Sequence, residues 1–199
     1  NPNYKVKGNS INSGKFGFVF QSINQDYVIK IAEANKDSIN EILISHEVSA
    51  YNIGPSIIKT EIIPYNNRSY LIIKMEKMDG TLQSLLFNSK ISYDIKLESI
   101  NKVHELVQLL HSKRICHKDL HLKNIMYKKS TNGSYIIKLI DFGKSKKQND
   151  CTKNTNYYQK NFMNISFSKE KARISKQKQR NQSSTPPFKF SNSQKIPSS

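Results

Sequence analysis

Two short stretches give the strongest indication of the fold, HKDLHLKNIM at residues 117–126 and IDFGKS at residues 140–145. The first stretch follows a long helical pattern, and the second follows a short apolar run typical of a strand. Asp119, Asn124 and Asp141 therefore stand at the ends of neighbouring elements, where their side chains can converge. Two carboxylates and an amide offer the oxygen ligands that Mg²⁺ prefers, alongside water and phosphate. We expect a magnesium site here.

The sequence around these stretches predicts a strand-rich half followed by a helical half. Strands are predicted at residues 6–11, 17–23, 27–32, 57–64, 69–75, 125–129 and 135–140, and helices at residues 37–52, 82–88 and 94–113. The last helix has the clearest apolar stripe, formed by Ile100, Val103, Val107 and Leu110. In the first helix, the residues predicted to share one face are Ile39, Leu43, His46 and Ala50.

In this order and context, the two stretches resemble the catalytic loop and the magnesium loop of the protein kinase fold. The resemblance covers residues 8–143 and implies an α+β fold with two lobes. An N-terminal antiparallel sheet lobe would occupy about residues 1–76, and a reduced helical C-terminal lobe about residues 77–143. The resemblance further implies that Asp119 orients and deprotonates an acceptor hydroxyl, while Asn124 and Asp141 hold Mg²⁺ on the phosphates of ATP.

The N-terminal part adds a second similarity to that family, because INSGKFGFVF at residues 11–20 resembles its glycine-rich loop. Asn12 stands at the place of the first glycine. Backbone N–H groups of such a loop can approach phosphate where no Cβ intervenes. Lys30, in the apolar run YVIKIA, matches the lysine that binds the α- and β-phosphates. The ATP-binding residues implied here are Asn12, Gly14, Gly17, Val19 and Lys30.

In this family the lysine pairs with a glutamate on the next helix, and both Glu41 and Glu47 are candidates. Glu47 is favoured because an apolar residue, Tyr51, follows it by one helical turn, whereas Ser45 follows Glu41. Its distance to the Gly-Pro pair at 54–55 favours it as well. We therefore predict that Glu47 joins Lys30 in the catalytic site and that Glu41 is a surface residue.

The segment YLIIKMEKMDGTL at residues 70–82 resembles the connection between the two lobes. The resemblance implies that backbone groups of Glu76 and Met78 face the edge of adenine. Asp79 would reach the ribose. The side chains expected to pack above and below the base are those of Val19 and Met126.

Two departures from the family pattern bear on the reaction. His121 stands where many protein kinases have a lysine that contacts the transferred phosphate, and we keep it as a catalytic residue. After Gly143 only 56 residues remain, and they contain no Ala-Pro-Glu tripeptide. This shortened pattern resembles the minimal kinases of large DNA viruses.

We interpret the sequence as an ATP- and Mg²⁺-dependent phosphotransferase, with serine or threonine of a protein as the favoured acceptor. One alternative is a small-molecule kinase of the aminoglycoside or choline type, which His121 and the lacking tripeptide suggest. The other is a truncated pseudokinase that binds a partner protein. The intact Lys30, Asp119, Asn124 and Asp141 argue against the pseudokinase.

The chain is strongly basic, with 32 Lys and Arg against 15 Asp and Glu and a net charge of +17 over 199 residues. Residues 144–199 carry 13 of the basic and 2 of the acidic side chains. We expect residues 144–176 to be a C-lobe remnant or docking segment, and residues 177–199 to be a disordered, Ser-rich tail. The tail would contact an acidic partner or nucleic acid, unless its charge is only compositional bias.

Two cysteines, Cys116 and Cys151, are too few for a disulfide framework or a zinc site. They favour a reducing, cytoplasm-like compartment, which would be the host cytoplasm for a viral protein. No apolar run approaches the roughly 18 residues of a membrane-spanning helix, so no membrane contact is expected.

Overall fold

Five antiparallel strands form the N-terminal sheet of the computed structural model, which describes residues 10, 12–14, 17–23 and 26–151. In chain order the strands are β1 (Asn12–Gly14), β2 (Gly17–Gln21), β3 (Tyr27–Glu33), β4 (Ile57–Tyr65) and β5 (Arg68–Glu76). Their order in the sheet is β1-β2-β3-β5-β4, which makes β3 central and β4 an edge strand. Pro64 lies in β4, where an edge strand tolerates a residue without an N–H.

Helix α1 (Lys36–Ala50) connects β3 to β4 along the chain. Asn35 caps the helix, because its side chain accepts from the backbone N–H groups of Asp37 and Ser38 at 3.0 Å each. The Ser38 hydroxyl in turn accepts from the Asn35 N–H at 2.9 Å. The helix buries Ile42 against Leu71 and Ile73 of β5, and this cluster forms the apolar core of the sheet region.

The second half of the described chain contains two more helices and two small sheets. Its elements are β6 (Gly80–Thr81), α2 (Leu82–Phe87), α3 (Tyr93–Ser112), β7 (Ile115–Cys116), a 3₁₀ turn (Leu122–Asn124), β8 (Ile125–Lys129), β9 (Tyr135–Leu139) and β10 (Lys146–Lys147). Strands β6, β8 and β9 form one antiparallel sheet, and β10 pairs with β7 in the other. The predicted stripe of α3 is buried as expected, with Val103 and Leu110 completely inaccessible.

The segment that follows α1 joins the two halves. The Leu139 N–H donates to the Ile53 carbonyl at 2.9 Å, and Lys138 Nζ donates to the Asn52 carbonyl at 2.9 Å. Burial lowers the pKa of Lys138, and the nearby Glu76 carboxylate opposes this effect. These contacts join strand β9, which leads into Asp141, to the segment directly after helix α1.

The α+β architecture with an antiparallel sheet lobe confirms the predicted fold class. The four residues predicted to share one face of α1 belong to its outward side, since Leu43 is 64% exposed. The residues that the helix buries are Ser38, Glu41, Ile42, Ile44 and Val48. Three predictions fall mostly or entirely outside the described residues: the strand at 6–11, the C-lobe remnant or docking segment at 144–176 beyond residue 151, and the tail at 177–199. The domain boundaries at residues 76, 143 and 176 stay predictions.

Cys116 and Cys151 form a disulfide bond between β7 and the segment after β10. The sequence did not predict this bond, and its presence removes the support that the two cysteines gave to a reducing compartment. Two thiols are too few for a framework, but the pairing of β10 with β7 brings this one pair within reach. Within the described part of the chain, we find no helix with both the length and the apolar character needed to cross a membrane.

Candidate active site

Lys30 lies on the central strand β3, opposite Val19 of β2, so both side chains share one face of the sheet. Its ammonium group forms an ion pair and a hydrogen bond with Glu41 Oε1 of α1. The two side chains are only 13% and 7% exposed, so the pair is shielded from water. The prediction that Glu47 pairs with Lys30 is wrong, since Glu47 Oε2 lies 2.7 Å from Lys147 Nζ instead.

The rotation of α1 about its axis explains this correction. Glu41, Ile44 and Val48 follow one another at helical spacing and are all buried, so they form the face that the helix turns inward. Tyr51, which favoured Glu47 in the sequence, is 38% exposed and lies outside that face. The rule used in the sequence therefore fails here, because the residue four positions after Glu41 is Ser45, and the buried apolar residue Ile44 follows Glu41 by three positions.

The electrostatics around Glu41 connect the ion pair to Asp141. Burial raises the pKa of Glu41, the positive charge and hydrogen bond of Lys30 lower it, and the negative charge of Asp141 raises it again. The carboxyl group that binds Lys30 therefore also responds to the charge of Asp141.

His117 anchors the loop that carries Asp119. It is 2% exposed, its Nε2 lies 2.9 Å from the Ile140 carbonyl, and its ring centroid is 5.0 Å from that of Phe142. Burial lowers the pKa of His117, although the Ile140 carbonyl and the charges of Asp141 and Asp119 oppose the effect. A buried neutral imidazole that donates from Nε2 fixes the loop against the residue just before Asp141.

Asn124 is held by three backbone contacts. Its Nδ2 donates to the Asp119 carbonyl at 3.0 Å, its N–H donates to the His121 carbonyl at 2.9 Å, and its own carbonyl accepts from the Ile140 N–H at 2.9 Å. Because Nδ2 is engaged, the amide oxygen remains for a cation. These bonds bring Asp119, Asn124 and the start of the Asp141 loop together.

The donor set at this place fits Mg²⁺ shared with phosphate. Asp141 has a φ of 64°, the left-handed region that few residues other than glycine adopt, so the loop sets its side chain in a special backbone conformation. Among the described residues, no three His, Cys, Asp or Glu side chains cluster to hold a metal. Mg²⁺ needs no such cage, because one or two protein oxygens, water and substrate phosphates suffice.

Asp119 forms an ion pair that the sequence did not predict. Its Oδ2 lies 2.9 Å from Nζ of Lys144, the residue directly after Gly143. His121 stands nearby in sequence but caps the 3₁₀ turn, with Nδ1 accepting from the Lys123 N–H at 3.3 Å. Two features of the sequence could have indicated this pair. A lysine directly follows the Asp-Phe-Gly tripeptide, and position 121 has histidine instead of the lysine found in many protein kinases.

The residues expected at the adenine edge lie at the end of β5 and beyond it. The Glu76 N–H donates to the Ser56 carbonyl at 2.9 Å, while its side chain pairs with Lys128 Nζ at 3.3 Å. Met78 is buried, and Val19 and Met126 are partly buried. The Asp79 carboxylate accepts from the Lys129 N–H at 2.7 Å, which engages the group expected to reach ribose. The adenine contacts stay predictions.

The strand register aligns the residues of the predicted glycine-rich loop, with Asn12 opposite Val19 and Gly14 opposite Gly17. Gly17 has a φ of 115°, and a Cβ at this position would clash with the Ile31 carbonyl oxygen. Only glycine fits here, because both the backbone conformation and the close approach of β3 exclude a side chain. This glycine lets β2 lie directly on the strand that carries Lys30.

Comparison with known proteins agrees with this geometry. The family profile described as protein kinase domain matches residues 5–168. A protein of Acanthamoeba polyphaga mimivirus named as a serine/threonine-protein kinase is 28% identical over 155 residues, which are 75% of this chain and 28% of that protein. A Dictyostelium discoideum protein of the same designation is 29% identical over 167 residues, covering 75% of this chain and 24% of that protein.

A third relative is the serine/threonine-protein kinase DCLK1 of Rattus norvegicus, 27% identical over 147 residues, or 70% of this chain and 34% of that protein. The chain thus spans between 24% and 34% of the length of these three relatives. The profile covers most of the sequence, and the Lys30–Glu41 pair and the Asp119, Asn124 and Asp141 loops fall within it. The chain belongs to the protein kinase domain family.

Proposed function

We propose that this chain is an ATP- and Mg²⁺-dependent phosphotransferase that acts on serine or threonine hydroxyls of proteins. The proposal is supported by the shielded Lys30–Glu41 pair, and by the hydrogen bonds of Asn124 to the Asp119 loop and to the residue before Asp141. The Lys30–Glu41 pair is suited to hold the phosphates of ATP. The loops with Asp119, Asn124 and Asp141 are suited to receive a proton and to bind a cation. The designations of the relatives support protein hydroxyls as acceptors.

Asp119 acts as the base in the proposed reaction. Its carboxylate accepts the proton of the acceptor hydroxyl while the hydroxyl oxygen forms a bond to the γ-phosphorus of ATP. The bond between this phosphorus and the β,γ-bridging oxygen breaks, and ADP leaves with the electron pair. Lys30 binds the α- and β-phosphates through its ammonium group, and Glu41 holds this group in place.

Asn124 and Asp141 would hold the metal through an amide oxygen and a carboxylate oxygen. When bound, Mg²⁺ supplies positive charge to the phosphate oxygens of ATP. The backbone bonds of Asn124 to the Asp119 loop and to Ile140 keep these two ligands in fixed positions relative to the base. Such preorganisation is the main contribution that a protein makes to phosphoryl transfer.

Radiolabelled γ-phosphate transfer tests the proposal. We expect the full chain with Mg-ATP to label serine or threonine of generic basic or acidic proteins, and the label to vanish when Mg²⁺ is withheld. Asp141→Asn serves as the matched variant, because it should weaken Mg-ATP binding by removing a charged ligand. Label on aminoglycosides or choline alone would identify a small-molecule kinase. Nucleotide binding with no transfer to any acceptor would identify a partner-binding pseudokinase.

We also propose that the basic segment at residues 177–199 contacts an acidic partner or nucleic acid. The support is its charge, since lysines near a polyanion release counterions. Deleting residues 177–199 should lower heparin affinity and flatten its dependence on salt. Equal heparin binding by both forms across a salt series would show that the charge of the tail is compositional.

A further inference from the structure

Lys144 is held at a defined place beside Asp119. Its Nζ lies 2.9 Å from Asp119 Oδ2. The next residue, Ser145, is 1% exposed, and its N–H donates to the Phe142 carbonyl at 2.9 Å. The Ser145 hydroxyl donates to the carbonyl of His117 at 3.1 Å. The backbone around Lys144 is therefore fastened to the same loop that carries Asp119.

His121 is poorly placed to supply positive charge to this site. Its Nδ1 accepts a hydrogen bond from the Lys123 N–H at 3.3 Å, and it caps the 3₁₀ turn. A ring nitrogen that accepts this hydrogen bond cannot also donate one to phosphate. The imidazole thus stabilises the turn as an acceptor, and Lys144 provides the ammonium group that faces Asp119.

The position of the ammonium matters because of where charge develops. The acceptor hydroxyl must lie against Asp119 to lose its proton, and the phosphoryl group moves onto that oxygen. Its equatorial oxygens carry the charge of the transition state, and a nearby cation stabilises them. The Lys144 side chain is 54% exposed and has a flexible four-carbon stem, so its ammonium can turn from Asp119 to this group.

We propose that Lys144 is a catalytic residue that contacts the transferred phosphoryl group, in place of a lysine at position 121. This inference rests on the proposed function. During transfer, Lys144 keeps its three protons, Asp119 takes the hydroxyl proton, and ADP leaves with the electron pair of the broken bond. Before transfer, the same ammonium neutralises Asp119.

Steady-state kinetics of Lys144→Gln provide the first test, with Lys146→Gln as the matched control. Lys146 is an exposed lysine of β10, and its replacement makes the same change in charge two residues away. We expect Lys144→Gln to lower kcat by roughly 10- to 100-fold, less than the loss of a buried donor because the side chain is half exposed. Lys146→Gln should keep the kcat of the unmodified chain. Equal kcat values in both variants would overturn the proposal.

Rescue distinguishes a phosphate contact from a structural role. Lys144→Arg should recover part of the lost kcat, because it restores a cation. The double variant Lys144→Gln, His121→Lys should also recover activity, because it returns an ammonium group two residues after Asp119. A double variant no more active than Lys144→Gln, with matching thermal stability, would show that Lys144 acts on the structure of the loop rather than on phosphate.

Nucleotide binding gives a readout that does not depend on turnover. With Mg²⁺, Lys144→Gln should weaken binding of the β,γ-imido analogue of ATP by about three- to tenfold, and binding of ADP by less than twofold, since only the analogue has a γ-phosphate. If the unmodified chain transfers no phosphate, the proposed function fails, and this comparison still decides the role of Lys144. Equal changes for both nucleotides would overturn it.

Discussion

Two ion pairs of the site differ in their exposure to water. The difference suggests that one pair holds groups in position and that the other takes part in the reaction. The Lys30 and Glu41 side chains are 13% and 7% exposed, whereas Lys144 and Asp119 are 54% and 28% exposed. The shielded pair joins strand β3 to helix α1 and has little freedom to exchange partners. The open pair joins two loops, and its members can turn to a substrate. We expect the first pair to dominate stability and nucleotide binding, and the second to dominate turnover.

The largest expected effect is on the rate. Asp119→Asn removes the proposed base from the open pair and should lower kcat by about 10²- to 10⁴-fold, with ATP affinity changed by less than about threefold. Lys30→Met should do the reverse and weaken ATP binding, because the phosphates lose their cation. Calorimetric titration with ATP and steady-state kinetics on both variants check the contrast. Unchanged turnover in Asp119→Asn would remove this residue from the chemistry.

Stability should respond to the shielded pair far more than to a similar pair on the surface of the same helix. Glu41→Gln leaves Lys30 buried without its counterion, and we expect a loss of about 3 kcal/mol of unfolding free energy. Glu47→Gln, the matched control, breaks a contact whose Lys147 partner is 61% exposed, and should cost less than about 1 kcal/mol. Urea denaturation measures both. A larger loss in Glu47→Gln would return the pairing role to Glu47.

A smaller difference in stability is expected between two glycines, one packed tightly in the N-terminal sheet and one in an open turn. Gly17→Ala forces a Cβ against the Ile31 carbonyl, with a φ of 115°, and should cost about 2–3 kcal/mol. Gly133→Ala, in the turn between β8 and β9, has a φ of 87° but no atom within 4 Å of the new Cβ. Only backbone strain remains there, at about 1 kcal/mol. Thermal unfolding of the two variants measures the difference. Equal losses would show that contact with β3 adds nothing to the strain.

The smallest effect is a pH dependence of stability. Burial raises the folded-state pKa of Glu41 above its ordinary value of 4.5. The folded chain therefore binds more protons than the unfolded chain just above pH 4.5, and unfolding free energy should fall as pH rises through this window, by at most about 1.4 kcal/mol per pH unit. Burial lowers the pKa values of His117 and His111, so these two groups make unfolding free energy rise with pH. Their contribution is the same in the unmodified chain and in Glu41→Gln. The difference between the unmodified chain and Glu41→Gln isolates Glu41, and a flat difference would contradict the shift.

Local patterns predicted most elements of the fold, and they failed where polar groups are buried. The stripe of α3 contains apolar residues at regular spacing, so its inward face was readable from the sequence. Helix α1 has apolar residues almost all around it, at Ile39, Ile42, Leu43 and Ile44, so hydrophobicity does not mark one side. Its inward face includes Ser38 and Glu41, which are buried because each has a hydrogen-bond partner.

The candidate site was predictable to the extent that motifs mark it. The spacing of Asp119, Asn124 and Asp141 predicted that their side chains can converge, because they stand at the ends of neighbouring elements. The contact between Lys144 and Asp119 depends on how the chain turns after Gly143, and the pairing of β10 with β7 sets that turn. The disulfide bond depends on the same pairing. Such contacts arise from tertiary structure, which no local pattern records.

The disulfide bond also changes the covalent topology of the site. Cys116 and Cys151 are 35 positions apart, and Asp119, Asn124, Asp141 and Lys144 all lie between them. The groups proposed for proton transfer, metal binding and charge stabilisation thus belong to a single covalent ring. A protease that cuts once inside this ring leaves both fragments linked. The nicked chain would migrate as one species in a non-reducing gel and separate into two only after a reductant opens the bond.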